Sequence, residues 1–373
     1  MIHIFVCRRN NSTMNRLKQA EAMLGCRIAV HTYSGLFGRR EVPVGTLIFT
    51  DFDHLKSYEI DAAALAMNAA LTAAPETTVF NRPERALQRT ALISRLQRLG
   101  LNEVEVVRAD TGKTPKDFPV FVRQEDGCGG PETGLLQSAA EYKAALTDLA
   151  ATGRTLSGRI ALSFAAEPDS EGYYLKYGAF VIGRHIVPQH ILRSAEWNVK
   201  SSSTEMSPAF IEKELAYITE NPHADALRQI AEAGCIDYGR IDYGMRDGRI
   251  VVFEINTNPV FPRFIGGSAD REERRRIIVG RLSDAFREIE YTGPARTVPF
   301  DDTVLKNSTF IERDSWLRHP HVALRQKAHW QRALGRIRWQ GALSRTRWQT
   351  ALGRRWSNLR FRLSRIRRQT GRN

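Results

Sequence analysis

Apolar and polar positions in the first 80 residues alternate between the two-residue period of strands and the longer period of helices. This alternation predicts a layered α/β domain, which we place at residues 1–80. Residues 8–11, after the first strand, contain no glycine, so a dinucleotide site in the first turn is not expected. The predicted strands are Ile2–Cys7, Arg27–Thr32, Thr46–Thr50 and Thr78–Asn81, and the predicted helices lie near Ser12–Leu24 and Glu59–Ala73.

A second α/β region, placed at residues 81–290, carries a glycine-rich loop between a strand and a helix. The loop Glu125–Gly134 has four glycines in ten residues, follows the strand Pro119–Gln124, and precedes a capping box at Ser138 and Glu141. This order is compatible with phosphate binding, although glycine clusters more often connect hairpins. Further predicted elements are a helix over Pro83–Leu99, strands over Arg159–Ala165, Tyr173–Ile182 and Arg184–Ile191, and helical stretches between Pro208 and Ala233.

The segment 234–259 predicts the two strands of a hairpin, with apolar residues on one face and polar residues on the other. For the apolar positions of both strands to share a face, the numbers of opposed residues must sum to an even value. The apolar positions are Ile241, Tyr243, Met245, Val251, Phe253 and Ile255, and the polar positions are Arg240, Asp242, Glu254 and Asn256.

A three-residue loop over residues 246–248 satisfies this parity, and it sets Arg240 opposite Glu254 and Asp242 opposite Val252. Two carboxylates and an amide oxygen then lie within reach of one another, and such hard oxygen ligands suit Mg²⁺. The alternative is an exposed sheet face with a cross-strand arginine–glutamate pair. The Asn-Thr-Asn-Pro run after the second strand favours the metal site, because these poor strand formers present polar groups rather than pack.

These motifs resemble the ATP-grasp superfamily of carboxylate–amine and carboxylate–thiol ligases. The resemblance runs from about Asn81 to Arg263, and its most specific parts are the motifs GRID, Gly239–Asp242, and EINTNP, Glu254–Pro259. Both motifs are similar to the metal-binding end of D-alanine–D-alanine ligases. The resemblance implies a two-lobed α+β ATP-grasp domain that follows the N-terminal α/β domain along the chain.

The resemblance also implies roles for individual residues. Asp242, Glu254 and Asn256 would hold two Mg²⁺ ions, with Mn²⁺ as an alternative, and Arg240 would steady an acyl-phosphate. Arg123 stands where the superfamily has a phosphate-binding lysine, and an arginine pairs with phosphate in a more rigid geometry. The expected ATP-binding residues are Arg89, Arg123, Gly127, Gly129 and Gly130 for the phosphates and Ser163, Phe164 and Ala165 for adenine.

A further polar and aromatic set flanks the third predicted hairpin, and it is either part of this site or a solvated face with one anchoring tryptophan. Its members are Lys176, Arg193, Trp197, Asn198 and Lys200.

The implied activity is an ATP- and Mg²⁺-dependent ligation that activates a carboxylate as an acyl-phosphate and joins it to an amine or thiol. No Ser-His-Asp or Cys-His arrangement is evident in the sequence, and phosphoryl transfer needs no protein nucleophile. Two alternatives stay open: a kinase that stops at phosphoryl transfer, and a polyanion-binding protein with a non-catalytic scaffold. The implied partners are a small carboxylate and a small amine or thiol substrate.

Composition places the protein among soluble globular chains, with 42% hydrophobic and 26% charged residues. No apolar run approaches the roughly 20 residues of a membrane-spanning helix. The four cysteines are widely spaced, which indicates reduced thiols rather than a disulfide framework or a zinc ribbon. We therefore expect a cytoplasmic location.

The net charge of +14 is confined to the end of the chain. Residues 313–373 hold 17 lysines and arginines against one acidic residue, together with five of the six tryptophans. A nine-residue repeat places successive tryptophans on opposite sides of any helix, so a single apolar stripe is not expected. This basic stretch belongs to a linker and tail at residues 291–373. One interpretation is a solvated extension, helical or disordered. The other is an arm that binds RNA, anionic lipid or an acidic protein.

Deleting the residues beyond 312 should remove binding to polyanions and leave ATP chemistry unchanged, because every candidate site residue precedes Arg263. Heparin retention of the intact protein should fall steeply with added salt, as counterion release requires. Equal retention of intact and truncated protein at low salt would contradict this role of the tail.

Overall fold

The computed structural model describes residues 1–7, 16, 20–127, 129–200, 206–262 and 271–301. The mixed α/β fold class predicted from the sequence is confirmed. The predicted basic tail lies outside the described residues, as does much of the helix predicted near Ser12–Leu24, of which residues 20–24 are helical. Within the described ranges, no helix combines the length and the apolar character needed to cross a membrane.

The N-terminal sheet is parallel, with its strands in the order β2-β1-β4-β5. Every residue of β1 is buried, as expected for a parallel strand covered on both faces. A separate two-stranded ribbon joins β3 to β13. The strands are β1 (Ile2–Val6), β2 (Ile28–Thr32), β3 (Glu41–Pro43), β4 (Thr46–Phe49), β5 (Thr78–Phe80) and β13 (Thr297–Pro299), and the helices are α1 (Tyr33–Arg39) and α2 (Ser57–Ala73).

Asn81 joins the N-terminal sheet to the rest of the chain. Its side chain is 1% exposed, and its backbone has a positive φ of 53°. The side-chain amide donates to the backbone oxygens of Phe49 and Tyr238 at 3.0 and 2.7 Å, and its oxygen accepts from the N–H groups of Asp237 and Tyr238. One buried residue therefore ties the end of β4 to the start of a later strand.

An antiparallel three-stranded sheet follows in the order β6-β8-β7. The helix predicted over Pro83–Leu99 is divided into a 3₁₀ turn, Pro83–Arg85, and the helix α3 that begins at Arg89. The division reflects a capping contact, because the Thr90 N–H donates to the Glu125 carboxylate at 3.2 Å. The elements are α3 (Arg89–Arg98), β6 (Val106–Arg108), β7 (Val120–Gln124), α4 (Ala139–Ala151) and β8 (Arg159–Ser163).

A second antiparallel sheet has four strands in the order β10-β9-β11-β12, and it contributes 13 of the 35 buried residues of the main apolar core. The predicted helical stretch from Pro208 to Ala233 forms two helices, which separate at Asn221 in a left-handed conformation. The strands are β9 (Tyr174–Ile182), β10 (His185–Ser194), β11 (Tyr238–Arg246) and β12 (Arg249–Asn256), and the helices are α5 (Pro208–Glu220), α6 (Ala224–Ala233) and α7 (Glu272–Ile289).

The register of the hairpin β11–β12 differs from the predicted one. Arg246 pairs with Arg249, so the turn has two residues, Asp247 and Gly248, both with positive φ. A bulge at Phe253 then adds one residue to β12. The even sum of residue numbers expected beside the polar cluster is present, but the bulge produces it rather than a three-residue loop.

The bulge changes which residues face each other. Asp242 lies opposite Glu254 and Arg240 opposite Asn256, so the predicted pairs of Arg240 with Glu254 and of Asp242 with Val252 are wrong. Val252 belongs to the main core, whereas Phe253 packs beside Val104 and Leu162. The prediction that Phe253 shares the core face with Ile255 is also wrong, because the bulge reverses the alternation. The Asn102 side chain holds this position by bonding to both the N–H and the carbonyl oxygen of Val252 at 3.1 Å.

Replacing Asn81 with alanine should lower the free energy of unfolding by about 3–5 kcal/mol, because buried backbone groups lose their partners. Asp247→Ala provides the control, since Asp247 has a similar positive φ in an exposed turn. That variant should lose only about 1 kcal/mol. Equal losses in urea unfolding would show that the left-handed backbone, not the Asn81 bonds, dominates.

Candidate functional site

A cavity of about 470 Å³ lies between the three-stranded and the four-stranded sheets. One end is aromatic, with the Trp197 ring centroid 5.2 Å from that of Phe121 and 5.4 Å from that of Phe164. Tyr174 stands edge-on to Phe164 at 5.6 Å. This end can enclose a flat ring system, because aromatic side chains offer both faces and edges to it.

The other end of the cavity is charged, and it is lined by Asp242 and Glu254, two members of a row of residues across the four-stranded sheet. His190 lies opposite Gly178, Gly178 opposite Asp242, and Asp242 opposite Glu254. Opposed residues in neighbouring antiparallel strands have Cβ atoms about 4.5–5.5 Å apart. The two carboxylates therefore lie next to each other at the cavity wall.

Asp242 is 2% exposed and is held by cations. Arg240 binds both carboxylate oxygens, at 2.6 and 3.1 Å, and the Lys176 ammonium lies 3.5 Å away. Burial alone would raise the pKa of Asp242, but Arg240 and Lys176 outweigh burial and hold the pKa below its ordinary value of 3.8. Asp242 is accordingly ionised at neutral pH.

Glu254 is more accessible and pairs with two arginines, Arg89 on α3 and Arg123 on β7. Its Oε2 accepts from Arg89 Nη2 at 3.2 Å and lies 3.5 Å from Arg123 Nη1. Arg89 also donates to the Glu125 backbone oxygen at the start of the glycine-rich loop. Arg123 donates to the Gly127 carbonyl at 2.8 Å, so the same two arginines contact both the loop and the carboxylate.

Asn256 is placed differently from the two carboxylates. Its Oδ1 accepts from the Asn258 N–H at 2.8 Å, which closes a turn after β12. The Asn258 amide in turn donates to Asp51 at 2.8 Å. Asn256 lies opposite Arg240 in the register but is not among the residues that line the cavity.

The residues predicted for the site are close together, but only part of them reach the cavity. Gly127, Arg89 and Arg240 contribute through the contacts described above rather than as cavity wall. Ala165 packs in the apolar cluster that contains Val104, and the neighbouring Ala166 lines the cavity instead. The predicted residues that line it are Arg123, Gly129, Gly130, Ser163, Phe164, Asp242 and Glu254.

Several lining residues were missed or left undecided by the sequence. Lys176, Trp197, Asn198 and Lys200 belong to the cavity wall, whereas their pattern alone allowed a solvated face. Phe253 lines the wall as well, and Gly244 on β11 was its available signal. A Cβ at Gly244 would lie 2.6 Å from the Phe253 ring, and a glycine inside a strand marks such close approaches.

Oxygen ligands are present for a divalent cation, but the usual protein ligands do not form a larger cluster. Among the residues that the structure describes, no group of three or more histidine, cysteine, aspartate or glutamate side chains could hold a metal ion. Asp242 and Glu254 supply two adjacent carboxylates, a donor set that suits Mg²⁺ completed by phosphate oxygens and water.

Comparisons with known proteins find similar folds only. No protein-family model and no curated protein matches the chain. The D-alanine–D-alanine ligase from Bacillus anthracis complexed with ATP is 13% identical, with a TM-score of 0.44 over 77% of this chain and 96% of that one. The ATP-grasp ligase PsnB complexed with minimal precursor is 13% identical, with a TM-score of 0.45 over 77% and 99%.

A third solved structure, the RimK domain ATP-grasp protein from Sphaerobacter thermophilus, is 14% identical, with a TM-score of 0.41 over 79% of this chain and 100% of that one. The second and third of these structures are ATP-grasp proteins, the superfamily that the sequence motifs resemble.

Replacing Asp242 with asparagine should lower stability by about 3–5 kcal/mol at pH 7, because Arg240 would keep a buried charge without its partner. A carboxyl whose pKa is depressed on folding stabilises the protein above its unfolded pKa, and this contribution is lost as the pH falls through the folded pKa. The deficit of the variant should therefore shrink below pH 3.8, the ordinary value for this group.

Urea unfolding at pH 7 and pH 3 measures this difference, with Asp225→Asn as the control. Asp225 is 91% exposed and pairs with Arg228 on the surface. An equal deficit of Asp242→Asn at both pH values would assign the loss to packing rather than to charge.

Proposed function

We propose that this protein is an ATP-dependent ligase, which activates a carboxylate as an acyl-phosphate and joins it to an amine or a thiol. One observation carries the proposal: two adjacent carboxylates, Asp242 and Glu254, line one cavity end and pair with the cations Arg89, Arg123, Arg240 and Lys176. A triphosphate needs cations along its length and a divalent ion beside it, and this end offers donors for both.

The proposed binding mode follows from the two ends of the cavity. The nucleobase occupies the aromatic end between Phe121, Phe164 and Trp197, next to Ser163 at the end of β8. The phosphates extend toward Arg123 and Lys176 under the glycines at 129 and 130. Mg²⁺, with Mn²⁺ as an alternative, would be held by Asp242 and Glu254, with Asn256 nearby, and would supply charge neutralisation for the transferred phosphoryl group.

The proposed reaction has two steps. An oxygen of the substrate carboxylate attacks the γ-phosphorus of ATP, the bond to the β-phosphate oxygen breaks, and ADP leaves. An amine nitrogen or thiol sulfur then attacks the acyl carbon, loses its proton to solvent, and phosphate leaves with the bonding electrons. Arg240 and Lys176 stabilise the charge of the acyl-phosphate, so the protein contributes by positioning and electrostatics rather than by a covalent intermediate.

Two other functions make different predictions. A kinase would release ADP with one substrate only, whereas a ligase needs a second substrate for phosphate release. Polyanion binding by residues 313–373, to RNA, anionic lipid or an acidic protein, is favoured by the composition of that stretch alone. Ligation from ATP, like the scattered cysteines, fits a cytoplasmic location, which remains a prediction.

ADP release in the presence of amino acids, peptides and small carboxylic acids, with products identified by mass, tests the proposal. Glu254→Gln should lower turnover by about 100-fold or more, since it removes charge at the proposed metal while keeping the shape of the side chain. The control Glu103→Gln loses a surface pair with Arg249 and should keep normal turnover.

Chelation with EDTA should abolish turnover in the parent protein, and added Mg²⁺ should restore it. Normal turnover of Glu254→Gln, or turnover indifferent to EDTA, would exclude the proposed metal site. Stoichiometric ADP release with no dependence on a nucleophile would favour the kinase.

A further inference from the structure

A second, smaller cavity lies in the N-terminal part of the chain, beside the edge strand β2 of the parallel sheet. Its volume is about 240 Å³, and residues of β1, β2, α1 and β3 line it. Among the residues that the structure describes, none lines both this cavity and the 470 Å³ cavity of the candidate site. We call it the β2 pocket, and the proposed nucleotide site makes no use of it.

Two opposite charges line the β2 pocket without neutralising each other. Arg39 is the last residue of α1, and Glu41 is the first residue of β3. In the described part of the chain, Arg39 forms no ion pair and no side-chain hydrogen bond, and the Glu41 carboxylate accepts a single hydrogen bond, from Thr297 Oγ1 at 3.4 Å. Both charged groups are therefore available to a ligand.

Backbone contacts fix the positions from which these two side chains extend. Arg40, between them, closes α1 in a left-handed conformation with a φ of 55°, and its N–H donates to the Leu36 carbonyl at 3.0 Å. Glu41 then pairs with Pro299 in the ribbon of β3 and β13. One charge is thus attached to a capped helix end and the other to a paired strand.

His31 adds a hydrogen-bond acceptor to the wall of the pocket. Burial lowers the pKa of His3 to about 4, and burial together with the charge of Arg39 lowers the pKa of His31, so both rings are neutral at pH 7. His3 Nδ1 lies 2.9 Å from His31 Nε2, and the other ring nitrogen of His3 donates to the Val44 backbone. His3 Nδ1 then accepts from His31 Nε2, which leaves His31 Nδ1 as an acceptor.

Apolar side chains form much of the remaining wall. Phe5 stacks on the His31 ring with a centroid distance of 5.3 Å, and Val30, Leu36 and Pro43 also line the pocket. Sites for drug-sized ligands have volumes of roughly 300–1,000 Å³. The β2 pocket is smaller, so it suits a compact ligand with a short apolar part.

We propose that the β2 pocket binds a small zwitterion, whose anionic group pairs with Arg39 and whose ammonium group pairs with Glu41 and His31. A ligand with one charge would leave the opposite charge of the pocket without a partner, so complementarity favours a ligand that carries both. This site is separate from the proposed ligase reaction, since the two cavities have different walls. Amino acids with both groups on one carbon share this chemistry with longer ω-amino acids.

Calorimetric titration of the full chain tests the pocket and distinguishes these sources. The probes are glycine, valine, β-alanine and 4-aminobutyrate, each compared with its primary amide, which lacks the anionic group, and its N-acetyl derivative, which lacks the ammonium. At least one zwitterion should bind at least 10-fold more tightly than both of its derivatives, and the best separation of the two groups identifies the source. Absence of binding by all four, or equally tight binding of an N-acetyl derivative or of inorganic phosphate, would overturn the proposal.

Variants of the two charged residues show where the zwitterion binds. Arg39→Gln and Glu41→Gln should each weaken it at least 10-fold, and because both side chains are exposed, both variants should keep the melting temperature of the parent. The matched controls are Arg98→Gln and Glu212→Gln, exposed residues of α3 and α5 that line neither cavity, and they should bind normally. Binding that survives both pocket variants would locate the ligand elsewhere and refute the site.

Nuclear magnetic resonance of the histidine rings gives a test that needs no charge variant. Saturating zwitterion should shift the ring nitrogen signals of His31, assigned with His31→Gln, and leave those of His223 unchanged, because His223 lines neither cavity. Unchanged His31 signals at saturation would contradict the proposal. Titration of Mg·ADP into the same protein is a separate measurement, so failure of the nucleotide to bind would refute the proposed ligase and leave the β2 pocket to be judged on its own.

Discussion

The bulge at Phe253 is the constraint on which the arrangement of the site depends. A two-residue turn at Asp247 and Gly248 pairs residues whose numbers sum to an odd value. In that register Glu254 would lie across from Ile241 and would share the face of Ile241 rather than the face of Asp242. The extra residue in β12 shifts the register by one, so that Glu254 lies opposite Asp242 of β11. Asn102 binds both backbone groups of Val252 and so fixes the point at which the phase changes.

The electrostatics of the site follow from that register. Once Asp242 and Glu254 are neighbours, two carboxylates share a wall, and each is stabilised by cations of its own: Arg240 with Lys176, and Arg89 with Arg123. Removing one partner of such a pair costs more than the pair contributes, because the remaining charge stays buried. Under the proposed function, phosphates take over the cations while a metal takes over the carboxylates, so no charge is left unpaired when ATP binds.

The sequence predicted the parts of this structure that rest on local pattern. Strand and helix periodicity located most elements, and the requirement that apolar residues share a face brought Arg240, Asp242, Glu254 and Asn256 to one side of a hairpin. The loop length was wrong because a parity argument has two solutions, a longer turn or a bulge, and local pattern does not choose between them. Phe253 was misplaced for the same reason.

Contacts between distant segments were outside the reach of pattern alone. The bonds of Asn81 to Phe49 and Tyr238, and those of Asn102 to Val252, join residues more than 30 positions apart with no periodic signature. The resemblance to ATP-grasp proteins indicated Arg89, but its contact with Glu254 depends on how α3 packs, which composition does not encode.

The same long-range bonds determine which wall of the site is fixed. The end of β4 is joined to β11 through Asn81, and the Asp51 carboxylate accepts from Asn258 just beyond β12, while the Asp51 N–H donates to Thr257 at 3.1 Å. Asp51 is 4% exposed and has a positive φ of 59°, a conformation that surrounding contacts have to maintain. The N-terminal sheet and the β11–β12 hairpin are therefore braced together next to Asn256, and separating them would expose several buried polar groups at once. That cost makes this side a rigid support for the carboxylate row rather than a moving part.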